Sequence, residues 1–341
     1  MSWSPEDKYL WDCWFAWKAE ELHAFYLQAD RAACQHNPDA RHDFSSIGHA
    51  VLTLHGWQEL NDYEVLSRPR DDAWDNLSIW TGSIIQPAPA GPYYLFYTAR
   101  RREDAPVHTP AEWQRPQQIG AALSNDLMNW RRTRASQTGP VIPNPGRECG
   151  LDGVAWRDPY LIRGADGEYY AFICARLDPE KNRSSSDAGG VVAYVISPDL
   201  EHWGARPGIV ITPREFYQME VPQIFWRRFK NGSRCYLLFC AQEKDCSHER
   251  RLRGLECATG TYYLQSSLLP HDDQSIPVFA ESARLLARGL YAGKLIRPET
   301  DDRPLFFGFP WADPEGNFIG GISDPLRARF CEDGALELEH G

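Results

Sequence analysis

Tyr94-Leu-Phe-Tyr-Thr-Ala99 is a short aromatic run that ends on a small residue, the composition of a strand packed into a core. Four other segments share its form: His23-Ala-Phe-Tyr-Leu-Gln28, Tyr170-Ala-Phe-Ile-Cys-Ala175, Tyr236-Leu-Leu-Phe-Cys-Ala241 and Leu305-Phe-Phe-Gly-Phe-Pro310. Superimposing Phe25, Phe96, Phe172, Leu238 and Phe307 gives steps of 71, 76, 66 and 69 residues. A second repeat keeps the same period. Ile119-Gly-Ala-Ala-Leu-Ser-Asn-Asp-Leu-Met-Asn-Trp130 is similar to Val191-Val-Ala-Tyr-Val-Ile-Ser-Pro-Asp-Leu-Glu-His-Trp203, with a weaker copy from Ile47 to Trp57 and a degraded one at Gly320–Leu326. Turn residues separate short strands throughout, and helical periodicity is confined to short pieces at Pro5–Lys8 and Thr109–Arg115. Five all-β repeats of about 70 residues predict a five-bladed β-propeller with four-stranded blades. The repeats account for residues 1–341 as a single domain and leave no room for a second one.

Composition narrows the function. A hydrophobic content of 43% supplies a core, and 13% aromatic residues suit both that core and the faces of sugar rings. The net charge of -11 argues against nucleic acid and anionic membranes as partners, since both need a basic surface. No apolar run approaches the roughly 18 residues of a spanning helix, and the polar start Met1–Lys8 lacks the apolar core of a signal peptide. Nine cysteines are scattered without paired spacing, which fits reduced thiols and a cytoplasmic protein. The cluster Cys235, Cys240, Cys246, Cys257 and His248 matches no common zinc pattern, so neither metal nor cofactor is expected.

Three acidic motifs stand ahead of the repeated strands: Trp11-Asp12-Cys13-Trp14, Trp156-Arg157-Asp158-Pro159 and Met219-Glu220-Val221-Pro222. Asp12 precedes Phe25 by 13 residues, Asp158 precedes Phe172 by 14 and Glu220 precedes Leu238 by 18. Gly82 of Trp80-Thr-Gly-Ser83 and Gly293 of Tyr291-Ala-Gly-Lys294 each lie 14 before their own strand. The first strand of a propeller blade lines the central channel, so residues in one phase converge on one mouth. Three carboxylates there, from units one, three and four, are the equipment of a glycosidase; small residues from units two and five leave space. Asp126 and Asp199 read instead as Asx turns, and Asp71, Asp72, Asp75, Asp313 and Asp324 as solvated loop residues.

Taken in order, these motifs resemble those of glycoside hydrolase families 32 and 68, the five-bladed propeller fructosidases and fructosyltransferases. Trp80-Thr-Gly-Ser83 is similar to their Trp-Ser/Thr-Gly-Ser motif, Arg157-Asp158-Pro159 to their Arg-Asp-Pro triplet, and Trp11-Asp12-Cys13-Trp14 to the Trp-Asp-x-Trp of family 68. The C-terminal β-sandwich of family 32 has no counterpart before Gly341. The resemblance implies a retaining enzyme for β-fructofuranosides of the sucrose or short fructo-oligosaccharide type, hydrolase or transglycosylase. Asp12 is then the nucleophile, Glu220 the acid/base, and Asp158 the stabiliser of the transition state. Trp11, Trp14 and Trp80 wall the site and Arg157 holds Asp158 and a sugar hydroxyl. Gln28, Ser83 and Tyr291 complete the expected substrate-binding set. Two alternatives stay open: an inverting arabinofuranosidase or xylosidase of the family 43 kind, and a propeller that binds carbohydrate without cleaving it.

Overall fold

Each hydrophobic repeat closes into its own antiparallel sheet in a computed structural model of the chain, which describes residues 2–60, 64–66, 69, 72–104, 115–182, 185–210, 214–277, 279 and 282–339. Blade one comprises Lys8–Lys18, Glu21–Asp30, Ser46–Thr53 and Gly56–Glu59; blade two Ser78–Ile85, Tyr93–Arg100, Gln117–Ser124 and Arg131–Arg132. Blade three comprises Leu151–Arg163, Tyr169–Leu177, Gly190–Ser197 and Gly208–Val210. Blade four follows with Glu220–Phe229, Gly232–Ala241, Gly260–Gln265 and Arg284–Arg288, and blade five with Leu290–Leu295, Leu305–Pro310, Leu326–Phe330 and Leu336–Glu339. The first strands of successive blades pack against one another, and that of blade five returns to that of blade one. That ring is a five-bladed propeller. Outside the blades, the described strands are Ser2–Trp3 and Ile322–Ser323, which pair with each other and lock the start of the chain to blade five.

The aligned residues Phe25, Phe96, Phe172, Leu238 and Phe307 are fully buried in the second strands. They stand opposite Trp14, Ser83, Tyr160, Gln223 and Lys294 of the first strands, so the fivefold register is a register of structure. The tryptophan repeat also has a physical basis. Asp126 accepts the backbone N–H groups of Met128 and Asn129 at 2.9 and 2.8 Å, and Asp199 those of Glu201 and His202 at 2.9 and 2.8 Å. Each turn then aims its indole N–H at a backbone oxygen, Trp130 at Leu127 and Trp203 at Leu200.

Two expectations change, at Pro5–Lys8 and at Asp75. Pro5–Lys8 is a turn entering the first strand, because the residues after it are taken up by the ladder of blade one. The piece at Thr109–Arg115 lies outside the described residues apart from Arg115. Asp75 is buried, not solvated: it accepts from the Tyr97 hydroxyl at 3.0 Å and pairs with Arg132 at 2.7 Å. Asp71 lies outside the described residues.

Candidate active site

Every first strand carries one extra residue against its neighbour. The ladder slips between Trp11 and Cys13, Trp80 and Gly82, Arg157 and Tyr160, Glu220 and Gln223, and Tyr291 and Lys294. Four of these bulges hold a non-glycine residue in the left-handed region: Asp12 at φ 38°, Asp158 at 60°, Val221 at 51° and Ala292 at 51°. Such a conformation costs of order 1–3 kcal/mol, and a bulge re-aims side chains. Consecutive residues therefore reach the same mouth, where a regular strand would send them to opposite faces. Trp11 with Asp12, Trp80 with Thr81, Arg157 with Asp158 and Glu220 with Val221 all line one pocket of about 550 Å³. At Gly82 a side chain is excluded, since a Cβ would fall 1.9 Å from the Phe96 carbonyl oxygen.

The register also corrects the phase read by counting. Asp12 is equivalent to Thr81, Asp158, Val221 and Ala292, whereas Glu220 is equivalent to Trp11, Trp80, Arg157 and Tyr291. Gly82 and Gly293 sit one place later, so Thr81 and not Gly82 faces Asp12.

The three acids are tied together. The Thr81 hydroxyl donates to Asp12 Oδ2 in a short contact. Asp158 Oδ2 accepts the Val221 N–H at 3.0 Å, and the Asp158 N–H is held by Thr98 Oγ1 at 2.8 Å. Arg157 donates to Glu220 Oε1 at 2.8 Å and lies 3.6 Å from Asp158. The Tyr291 hydroxyl meets the other oxygen of Glu220. Burial, then the charge of Asp158, pushes the Asp12 carboxyl up to about 7, against the pull of the Thr81 hydrogen bond. Burial likewise raises Asp158 to about 6, against the Arg157 charge. Behind them Lys294 is lowered to about 8 by burial and donates to the Val221 and Pro222 carbonyls at 2.7 and 2.9 Å. That bond fixes the bulge beside Glu220.

Of the residues singled out in the sequence, Asp12, Asp158, Glu220, Trp11, Trp80, Arg157 and Tyr291 line the pocket. Trp14, Gln28 and Ser83 do not. Trp14 lies past the bulge and is buried in the core. Gln28 is one strand position out, and its neighbour Leu27 reaches the pocket instead. Ser83 is buried between blades and accepts the Leu161 N–H at 3.2 Å. Further lining residues come mostly from loops, with Arg176 from the end of the second strand of blade three. The 3-10 turn Pro38–His42 in blade one brings Asp39, Arg41 and His42, with Asp43 just beyond it. Opposite stand Arg176, Tyr217, Gln218, Gln242, Lys244 and Asp245, while Trp311 follows directly on the fifth aromatic strand. Arg176, Gln242 and Trp311 share one signal in the sequence, their place directly after a repeated aromatic segment. Among the described residues no group of three or more His, Cys, Asp or Glu side chains is arranged to hold a metal ion. Nor is any described helix long and apolar enough to cross a membrane.

A five-bladed propeller with two aspartates and a glutamate converging in its mouth defines the architecture of a glycoside hydrolase. The chain belongs to the family described as glycosyl hydrolases family 32 N-terminal domain, whose pattern matches residues 16–313, and is a glycosidase by that membership. A comparison with curated protein sequences finds no match. Among solved structures it is similar to inulosucrase from Halalkalicoccus jeotgali bound to kestose, at 17% identity and a TM-score of 0.66, over 99% of this chain and 89% of that one. Fructan 1-exohydrolase IIa from Cichorium intybus matches at 16% identity and 0.65, over 99% of this chain and 59% of the exohydrolase. An exo-1,5-α-L-arabinanase from a bovine ruminal metagenomic library matches at 13% and 0.60, over 97% of both. These likenesses establish the fold. The family match begins after Asp12, so the place of Asp12 rests on the bulge geometry.

Proposed function

We propose that this chain is a retaining β-fructofuranosidase or fructosyltransferase acting on sucrose or a short fructo-oligosaccharide. The observation that carries the reading is the convergence of Asp12, Asp158 and Glu220, from three different blades, on one pocket with Arg157 between two of them. Asp12 attacks the anomeric carbon and forms the covalent intermediate. Glu220 protonates the departing oxygen, then takes a proton from the incoming water or sugar hydroxyl. Asp158, held by the Val221 N–H and beside Arg157, accepts two ring hydroxyls of the sugar, and these bonds strengthen as positive charge develops on the ring. Trp11 and Trp80 offer the apolar faces of the pocket. Nine free thiols suit a reducing compartment, and cytoplasmic residence belongs to the same reading.

The fold is shared with an arabinanase, so substrate must be decided by reaction. Purified protein is incubated with sucrose, a short fructan and an aryl arabinofuranoside beside a Glu220→Ala control, and the sugars released are separated. Fructose or fructosylated products, absent from the control, are expected. Release of arabinose alone would replace the proposal by an inverting arabinoside reading, and silence on all three would favour binding without cleavage.

A further inference from the structure

We infer that Gln218 and Asp245 are positioning residues for Glu220, acting through Arg157. The inference rests on the reading of Glu220 as the acid/base. Arg157 Nη2 stands between two acceptors, Glu220 Oε1 at 2.8 Å and Gln218 Oε1 at 2.7 Å. A guanidinium nitrogen has two hydrogens, so this pair of bonds fixes its direction. The bond to Gln218 exists in only one orientation of the amide, with its oxygen toward Arg157. That orientation sends Gln218 Nε2 the other way, where Asp245 Oδ2 accepts it at 3.3 Å.

Asp245 is built to hold that end. It is 4% exposed, and burial raises its carboxyl to about 6, with the Glu220 charge adding to the effect. Its side chain also caps the short turn Glu243–Asp245 by accepting the Gln242 N–H at 3.3 Å. Its own carbonyl accepts the Tyr217 N–H at 2.7 Å, one residue before the amide it orients. A buried carboxylate is a costly way to cap an isolated turn. Here it has a second task. Without it the Gln218 amide is free to rotate and present N–H groups to Arg157, which would push the guanidinium away from Glu220.

The test compares sucrose, whose leaving group needs a proton, with p-nitrophenyl β-fructofuranoside, whose leaving group does not. In Gln218→Leu and Asp245→Leu, kcat/KM for sucrose is expected to fall about 10- to 100-fold, the cost of a misplaced catalytic group, and for the aryl glycoside by no more than about threefold. Asp245→Asn keeps an oxygen for the Gln218 amide and is expected to retain most of the sucrose activity. Equal losses on both substrates, with unfolding profiles like wild type, would overturn the relay, as would an Asn variant as damaged as the Leu one. Glu220→Gln separates the two readings. If it shows the leaving-group dependence and the other variants do not, the relay alone fails. If it does not, the assignment of Glu220 fails first.

Discussion

Thr81 shows how much a single hydroxyl can set. It is buried, belongs to the bulge of blade two and donates to Asp12, where it opposes the burial that lifts this carboxyl toward 7. Thr81→Val is therefore expected to raise that carboxyl further. The acid limb of kcat/KM should move up by about one to two pH units, the worth of a hydrogen bond to a charge, as read from a pH–rate profile. The same lifted carboxyls affect folding. Asp12 and Asp158 ionise at higher pH in the folded chain than in the unfolded one, so between about pH 4 and 7 the folded state binds more protons and loses stability as pH rises. Asp12→Asn should abolish activity yet raise Tm by about 2–4 °C at pH 8, with no gain at pH 4, in paired thermal melts. Asp12, Asp158 and Glu220 were legible in the sequence because each acid stands at a similar distance ahead of a repeated aromatic strand. Thr81 carries no such mark, since one residue of phase hides that it faces Asp12. Gln28 erred by the same single step, which in a strand exchanges one face for the other.

Strands were easier to read than what interrupts them. Five aromatic second strands announced themselves through composition, and their alignment survives in the ladder. The bulges left no such mark. Counting from an acid to its aligned strand passes through a hairpin turn, and those turns differ in length. The loose fit of Glu220 has two sources: longer strand arms in blade four, paired from Gln223 to Phe229 before a two-residue turn, and a position one place earlier in the bulge. The turn Pro38–His42 was missed because its residues pack through a neighbour's strand. Arg100, fully buried in blade two, donates to the His42 carbonyl at 3.0 Å, pairs with Asp43 and lies 4.1 Å over the Trp80 ring. The Trp80 indole N–H reaches the same carbonyl at 2.8 Å. Arg100→Met should cost about 2–3 kcal/mol by taking a fully buried guanidinium away from the half-buried Asp43 and the His42 carbonyl. It should also raise KM more than it lowers kcat, because a wall of the pocket loosens while the three acids keep their own bonds. Denaturant melts and steady-state kinetics check the two halves.

Ring closure belongs to the whole molecule and was not visible in any repeat. Each blade is built from contiguous chain, so the join between blades five and one relies on side-by-side packing and on Ser2–Trp3 pairing with Ile322–Ser323. The Gly321 N–H adds a bond to the Leu10 carbonyl at 2.8 Å, and Trp3 meets the Tyr26 ring edge-on at 5.8 Å. Trp3→Ala should lower stability by about 2–3 kcal/mol, below the value for a fully buried tryptophan, and should broaden the unfolding transition as the seam opens ahead of the other blades. The bulges make a different kind of statement about the ring. In all five blades a bulky or long residue comes first and a short one second: Trp-Asp, Trp-Thr, Arg-Asp, Glu-Val and Tyr-Ala. A Cys, Gly or Pro completes each triplet. The scaffold thus offers heredity a fixed grammar of five two-letter words, and new chemistry can be spelled by exchanging letters within a word while the sentence around it stands.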